Sequence, residues 1–291
     1  MTDWSGSDAP MSPEDFRLLR DAVGARMGLS LAPSTRPALE RRLRERLAVA
    51  NVKSFAEYYQ YLLFDPTADD EWDSLYDLLT TSETYFFRED YQLRAFQEEV
   101  LPALAEQARS RRRLTIWSAG CSTGEEAYTI AMLIHEANLG SGWEVRVFGS
   151  DISKRCIAVA RRGVYGPSSF RTTSKDKRRA YFIERADGSH VAERIRTMCH
   201  FGQMNLLEPD KARLIGRVDA IFCRNVLIYF DPHARRSVID LFHERLYPGG
   251  VLLLGHSESL LNISTAFELL HLKEDLVYRK PKSLVHAPPR L

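Results

Sequence analysis

Cysteine is scarce and scattered in this chain of 291 residues. Its four cysteines, Cys121, Cys156, Cys199 and Cys223, form no CxxC pair and no metal-type spacing. That excludes a disulfide-framed fold and a cysteine-bound zinc. Long apolar runs are missing as well. Stretches such as Val251 to Leu254 fall far short of the ~20 residues that a membrane-crossing helix needs. The opening segment, MTDWSGSDAP, has no basic stretch leading into an apolar core, so no secretory leader is expected. Nor is there an excess of one charge. Forty Lys and Arg stand against 39 Asp and Glu, for a formal net charge of +1. Whole-molecule charge therefore recruits neither nucleic acid nor a membrane surface. The 16 Gly and 13 Pro are dispersed, which excludes collagen-like and low-complexity chains. What remains is a globular composition, 44% apolar and 27% charged, in a length that suits about two domains. A soluble cytoplasmic protein is expected.

The pattern changes near residues 80–115. Residues 13–27 place Phe16, Leu19, Val23 and Met27 near helical spacing, behind a capping Ser12 and Pro13. Residues 35–50 line up Leu39, Leu43 and Leu47 on one face. Residues 54–63 open with Ser54 as a cap, and 69–80 carry Trp72, Leu75 and Leu79. Residues 1–80 thus read as a small helical domain, and 81–113 as a linker and one connecting helix. The second domain, 114–282, alternates strand and helix. Strands are expected at 114–120, 144–151, 218–225 and 249–257, and helices at 124–138, 153–162 and 233–246. Such alternation builds a parallel sheet covered on both faces. FELLHL (267–272) and LVYRK (276–280) read as a closing antiparallel hairpin. Residues 163–205 interrupt the alternation and read as an inserted β-rich subdomain, and 283–291 as a flexible tail.

The strongest local feature is the run from Ile116 to Tyr128, IWSAGCSTGEEAY, which follows a strand and opens a helix. Gly120 and Gly124 permit a tight turn and close approach of a ligand to the backbone. A nicotinamide-binding loop would read G-x-G-x-x-G. Here Ser122 holds the middle position, and Glu125 and Glu126 follow at once. Carboxylates suit an ammonium or sulfonium better than a pyrophosphate, which favours S-adenosylmethionine. The alternative is that the two glutamates complement the helix dipole. The strand at 144–151 ends in Asp151, an acid placed to accept hydrogen bonds from a ribose diol; capping of the next helix is the competing role. The strand at 218–225 ends in Arg224-Asn225, with Tyr229 placed to lie near a sulfonium. An Asn/Asp-Pro-Pro-aromatic segment, used on base amines, is absent there. Phe86 and Phe87 are expected to pack between the domains. Arg88 calls for a carboxylate, from the cofactor or from an acidic substrate.

On ETYFFRE, WSAGCSTGEEAYTIA, GSDIS, NLLE, DAIFCRNVLIYF and GHSES, in that order, the chain resembles the chemotaxis receptor methyltransferases (CheR) over roughly residues 12–280. The resemblance implies an α/β fold: a small all-helical N-terminal domain, then a doubly wound S-adenosylmethionine-dependent methyltransferase domain with a closing antiparallel hairpin and an inserted β-subdomain. It implies methylation of glutamate side chains in the cytoplasmic coiled coil of a chemoreceptor, with S-adenosylhomocysteine as product. The cofactor contacts it implies are Ser82, Thr84, Arg88, Gly120, Glu125 or Glu126, Asp151, Asn205, Leu206, Arg224 and Asn225. Glu126 is favoured of the two glutamates, and Ser82 stands where the family often carries Asn. Arg88 and Tyr229 would lie nearest the transferred methyl. Some family members dock on a receptor C-terminal pentapeptide through a glycine-rich loop. The corresponding turn here, residues 184–190, has one glycine, so docking independent of the pentapeptide is expected.

Helix 35–50 carries Arg36, Arg41, Arg42, Arg44 and Arg46 against two glutamates, a face complementary to an acidic receptor bundle; a solvated charged face is the plain alternative. Residues 154–179 hold nine basic side chains against one acid, which could also steer an acidic partner. Two other functions keep part of the pattern. A nucleic-acid methyltransferase would use the basic stretch but lacks the base-recognition segment. A non-catalytic signalling adaptor that binds S-adenosylmethionine would keep the glycine loop.

Overall fold

The computed structural model describes residues 10–80 and 82–282, and the tail expected at 283–291 lies outside them. The chain divides into two units. One takes the residues before the 82–89 segment together with Tyr229–Arg235; the other takes the rest.

In the first unit, helices α1 (Pro13–Met27), α2 (Arg36–Val49), α3 (Phe55–Phe64) and α4 (Ala68–Leu79) follow one another. Ser12 caps α1 in a reciprocal box with Asp15, with Pro13 in the first turn, and Gly28 ends it at φ 72°. Ser54 caps α3 through the Glu57 N–H. The apolar faces bury Phe16, Leu19, Leu43, Tyr58, Trp72 and Leu75, with α3 packed on α1 and α4. One charge enters this core. Glu71 is 5% exposed, and its carboxylate receives the Tyr58 hydroxyl and the Arg46 guanidinium, the Nε of the latter at 2.9 Å. Burial is the main force pushing the Tyr58 phenol upward, and the Glu71 carboxylate adds to it. The segment Tyr229–Arg235 joins this unit by an antiparallel bridge between Leu29 and Phe230, and by the Ser30 N–H donating to the Tyr229 carbonyl at 2.9 Å.

The second unit opens with α5 (Asp90–Ala95) and α6 (Leu101–Gln107), joined by a wide π-type turn at Phe96–Val100. The sequence reads as one helix over 90–113. Pro102 has no N–H to give and crowds the preceding turn, which accounts for the widening there. The helix ends at Gln107, and the strand begins at Arg113. The elements then run β1 (Arg113–Ala119), α7 (Glu125–Ala137), β2 (Glu144–Asp151), α8 (Lys154–Arg162), β3 (Val164–Tyr165), α9 (Lys175–Tyr181), β4 (Phe182–Arg185), β5 (Gly188–Val191), α10 (Glu193–Arg196), β6 (Cys199–Gln203), α11 (Pro209–Arg213), β7 (Val218–Cys223), α12 (Pro232–Arg245), β8 (Leu246–Leu254), β9 (Glu268–His271) and β10 (Leu276–Arg279).

Seven strands form one sheet in the order β6-β2-β1-β7-β8-β10-β9. The first five are parallel, and β10 and β9 add antiparallel at the edge. β1 and β7 are buried almost throughout, as strands covered on both faces must be. The insertion is a separate three-stranded sheet, β3-β5-β4. It is shorter than the expected 163–205: residues 199–203 pair in parallel with β2 and belong to the main sheet. Phe86 and Phe87 are buried within this unit. The Phe86 ring lies 4.9 Å from Tyr165, 5.2 Å from Phe170 and 4.8 Å from Phe182, so it anchors the 82–89 segment on the insertion.

Candidate active site

The carboxyl ends of β1, β2, β6 and β7 and the segment 82–89 carry the candidate residues of the second unit, as doubly wound sheets place their ligand sites. The chain leaves β1 at Gly120, whose φ of 79° favours glycine. A Cβ there would come within 2.5 Å of the Val226 side chain, so the loop after β1 and the loop after β7 touch because this residue has none. The N–H groups of Gly120 and Cys121 both donate to the Ser150 carbonyl, at 2.8 and 2.9 Å. Asp151 fastens the same loop: one carboxylate oxygen receives the Ser122 N–H at 2.8 Å, the other the Ser153 N–H at 2.9 Å. Helix α8 is capped by Ser153, not by Asp151.

The two glutamates at the start of α7 have different environments. Glu125 is 2% exposed and takes the hydroxyls of Thr123 at 2.6 Å and Ser169 at 2.9 Å. Burial raises its carboxyl above the ordinary range, against those two hydrogen bonds. Its oxygens are occupied in locking the loop to the insertion. Glu126 accepts the Ser118 hydroxyl at 2.7 Å and Arg224 Nη1 at a longer 3.3 Å. Burial raises its carboxyl too, in spite of the opposing pull of Arg224. Burial thus works against the anionic form of Glu126, and Arg224 and Ser118 work for it.

Arg224 is the hub of the cluster. Its guanidinium is buried and donates to Gln92 Oε1 at 2.9 Å, the Arg88 carbonyl at 2.8 Å, Glu89 Oε2 at 2.9 Å and Glu126 Oε2. The guanidinium is thus tied to protein partners on three sides. Arg88 lies between two residues at positive φ, Phe87 at 58° and Glu89 at 56°. Backbone of this kind is held only where its surroundings over-determine it. The Arg88 guanidinium donates to the Glu83 carbonyl at 2.9 Å and is about a quarter exposed. Thr84 is half-buried on the same segment, and the Ser82 carbonyl receives the Ser122 hydroxyl at 3.4 Å.

Past β6, Asn205 and Leu206 are buried, and the Met204 N–H donates to the Asp151 carbonyl at 2.8 Å. Asn225 follows Arg224 at φ 59°, and its Oδ1 is buried without a hydrogen-bond partner. A buried acceptor left open is costly unless a ligand meets it. Tyr229 is 40% exposed and belongs to the first unit. In that unit the five arginines of α2 also divide. Arg46 is spent on buried Glu71, and Arg44 pairs with Glu40. Arg41 and Arg42 are exposed and Arg36 half-exposed, with Arg42 reaching the Leu78 carbonyl at 3.3 Å. Two residues of the cluster escape local sequence reading: Glu89 and Gln92. Their tie to Arg224 spans 135 and 132 residues, and no local pattern signals it.

Two family models match the chain. "CheR methyltransferase, all-alpha domain" covers residues 14–80, and "CheR methyltransferase, SAM binding domain" covers 82–276. A chemotaxis protein methyltransferase 2 of Vibrio cholerae is 36% identical over 270 residues, 92% of this chain and 93% of its own. A chemotaxis protein methyltransferase of Klebsiella aerogenes is 36% identical over 266 residues, 89% and 88% of the two chains. A chemotaxis protein methyltransferase 2 of Pseudomonas aeruginosa is 36% identical over 259 residues, 86% and 88%.

Glu126 supplies a pH test. A bound cation lowers the pKa of this raised carboxyl, so a proton is released on binding when the pH lies below the raised value. Affinity for S-adenosylmethionine should then be flat at high pH and fall as pH drops through that value, measured by calorimetry between about pH 5 and 8. Glu126→Gln should weaken binding roughly tenfold, about 1.4 kcal/mol, and remove this pH dependence. An unchanged profile in Glu126→Gln would separate Glu126 from the cofactor.

Proposed function

Because the chain belongs to the CheR methyltransferase family, we propose that it is a protein-glutamate O-methyltransferase, forming methyl esters on glutamate side chains in the cytoplasmic coiled coil of a chemoreceptor. No helix among the described residues is long and apolar enough to cross a membrane. The observation that carries the reading is the acid-lined glycine loop after β1, tied through Arg224 to the segment that bears Arg88. The residues fit S-adenosylmethionine. Asp151 stands at the tip of β2, burial raises the Glu126 carboxyl, and Asn225 Oδ1 is open and buried. Gly120, Asp151, Glu126, Asn205, Leu206 and Asn225, with Ser82, Thr84 and Arg88 on the linking segment, would hold it.

When bound, the cofactor supplies a methyl group on a positively charged sulfur, with a neutral leaving group. A receptor glutamate has an ordinary pKa of ~4.3 and is an anion at neutral pH, so no base is required. The protein's part is alignment and exclusion of water. In this account Arg88 orients a carboxylate at the reacting centre, and Tyr229 is the second catalytic candidate. On the receptor side, Arg36, Arg41 and Arg42 present positive charge to an acidic helix, while Arg44 and Arg46 keep their own partners. The β4–β5 turn is tight, with Arg185 opposite Gly188, and offers no glycine-rich loop for a receptor pentapeptide.

Labelled methyl groups should pass from S-adenosylmethionine to receptor-containing membranes and be released by mild base, equally for receptors with and without a C-terminal pentapeptide. Base-stable label, or label in nucleic acid, would contradict the reading. Arg88→Ala should lower kcat roughly 10- to 100-fold, the worth of a charge-assisted hydrogen bond of ~1.5–3 kcal/mol, with little change in Tm. Arg88→Lys should recover only part, since an ammonium lacks the planar fork. Near-normal turnover in Arg88→Ala would leave Arg88 a purely structural residue.

Charge reversal separates the arginines of α2. Arg41→Glu should raise KM for receptor, leave cofactor affinity unchanged, and lose its effect as salt rises and screening shortens to a few ångströms. Arg46→Glu should instead destabilise the helical unit by about 3–5 kcal/mol, because it leaves Glu71 buried without its cation. A KM unaffected by Arg41→Glu at low salt would remove α2 from receptor recognition.

A further inference from the structure

Beyond β8, in the segment GHSES, one carboxylate collects four backbone N–H groups. Glu258 Oε2 accepts from Gly255 at 2.7 Å and Asn225 at 2.8 Å; Oε1 accepts from Val226 at 2.9 Å and Ile228 at 3.2 Å. Three of these donors form the loop that follows β7, the loop that carries Asn225 and its open Oδ1. β7 and β8 are parallel neighbours whose last pair is Cys223 and Leu254, so Glu258 stitches together the loops that leave two adjacent strands. The stitch is close enough to exclude a side chain at Gly255: a Cβ there would lie 2.8 Å from the Asn225 nitrogen and 2.8 Å from Glu258 Oε2. Asn225 sits in the left-handed region, which a non-glycine residue holds only under constraint. Hydrogen bonds to an ionised acceptor are the strong kind, and here three of them hold Asn225, Val226 and Ile228.

We propose that Glu258 is a positioning residue for the cofactor: its carboxylate sets the backbone of the loop after β7 so that the Asn225 side chain meets the ligand. Glu258 acts through Asn225 and touches the loop rather than the reacting atoms. The inference rests on the reading of Asn225 as a cofactor contact.

Glu258→Gln tests it, because the amide turns one acceptor into a donor facing N–H groups. Binding of S-adenosylhomocysteine, measured by calorimetry well below Tm, should weaken tenfold or more. Amide hydrogen exchange at residues 225–228 should accelerate, while β7 keeps its protection. Asp219→Asn is the control for a general loss of stability. Asp219 is buried at the other end of β7, where it accepts the Thr115 N–H at 2.9 Å and Arg111 at 2.6 Å. This variant should lower Tm yet bind the ligand within twofold of wild type. Should Glu258→Gln not fold, Gly255→Ala strains the same stitch and should show the same loss of affinity. Wild-type-like affinity in the variant that folds, or an equal loss in Asp219→Asn, would overturn the inference alone. Failure of the wild-type protein to bind S-adenosylhomocysteine would overturn it together with the cofactor reading.

Discussion

A buried guanidinium has to be satisfied on every side, and Arg224 satisfies itself on three separate stretches of chain. It holds Glu126 at the start of α7, the Arg88 carbonyl and Glu89 on the 82–89 segment, and Gln92 on α5. Removing a partner from such a cluster costs several kcal/mol, because the remaining charge stays buried. The cluster is therefore all-or-none, and it fixes where the glycine loop, the Arg88 segment and the end of β7 stand relative to one another. The strained backbone at Phe87 and Glu89 is tolerated because Arg224 on one side, and the Phe86 ring cluster on the other, leave it no alternative.

The same arrangement explains the chemistry the site can support. For the proposed glutamate methylation, an anionic nucleophile and a sulfonium methyl donor would need geometry more than proton transfer. The sheet brings three loops to one edge: Asp151 ends β2, the glycine loop leaves β1, and Arg224-Asn225 leaves β7. Each loop is fastened by a carboxylate that receives backbone N–H groups, Asp151 for Ser122 and Glu258 for residues 225–228. Fixed acceptors of this kind cost no reorganisation when a ligand arrives. Glu125 is a fastener of the same sort through hydroxyls, whereas Glu126 pairs with Arg224.

Local pattern carried much of this. The helices of the first unit follow from apolar spacing and from Ser12 and Ser54, and the parallel core from four apolar strands separated by helices. The glycine loop and Asp151 stand out because their residue types are tied to a short stretch of chain. Pattern misled at β6, where Cys199–Gln203 contains His200 and Gly202 and lacks the apolar run of a covered strand; tertiary pairing with β2 decided it. It misled again at Pro102, where one missing N–H reshapes a helix. The stabilising contacts of the site were not legible at all. Arg224 reaches Glu89 across 135 residues, and Glu258 reaches the β7 loop across about 30, distances over which single residues leave no periodic trace. Of the arginines on α2, only the fold distinguishes Arg46, committed to Glu71, from exposed Arg41.

The measurement that bears most directly on this account is the effect of Arg224→Lys on S-adenosylhomocysteine affinity, read alongside amide exchange over residues 82–89. Lysine keeps the charge but cannot serve four partners in one plane. Affinity should fall at least tenfold, and the amides of the 82–89 segment should lose protection while β1 and β7 keep theirs. Affinity and protection equal to wild type would show that the buried guanidinium does not hold the site together.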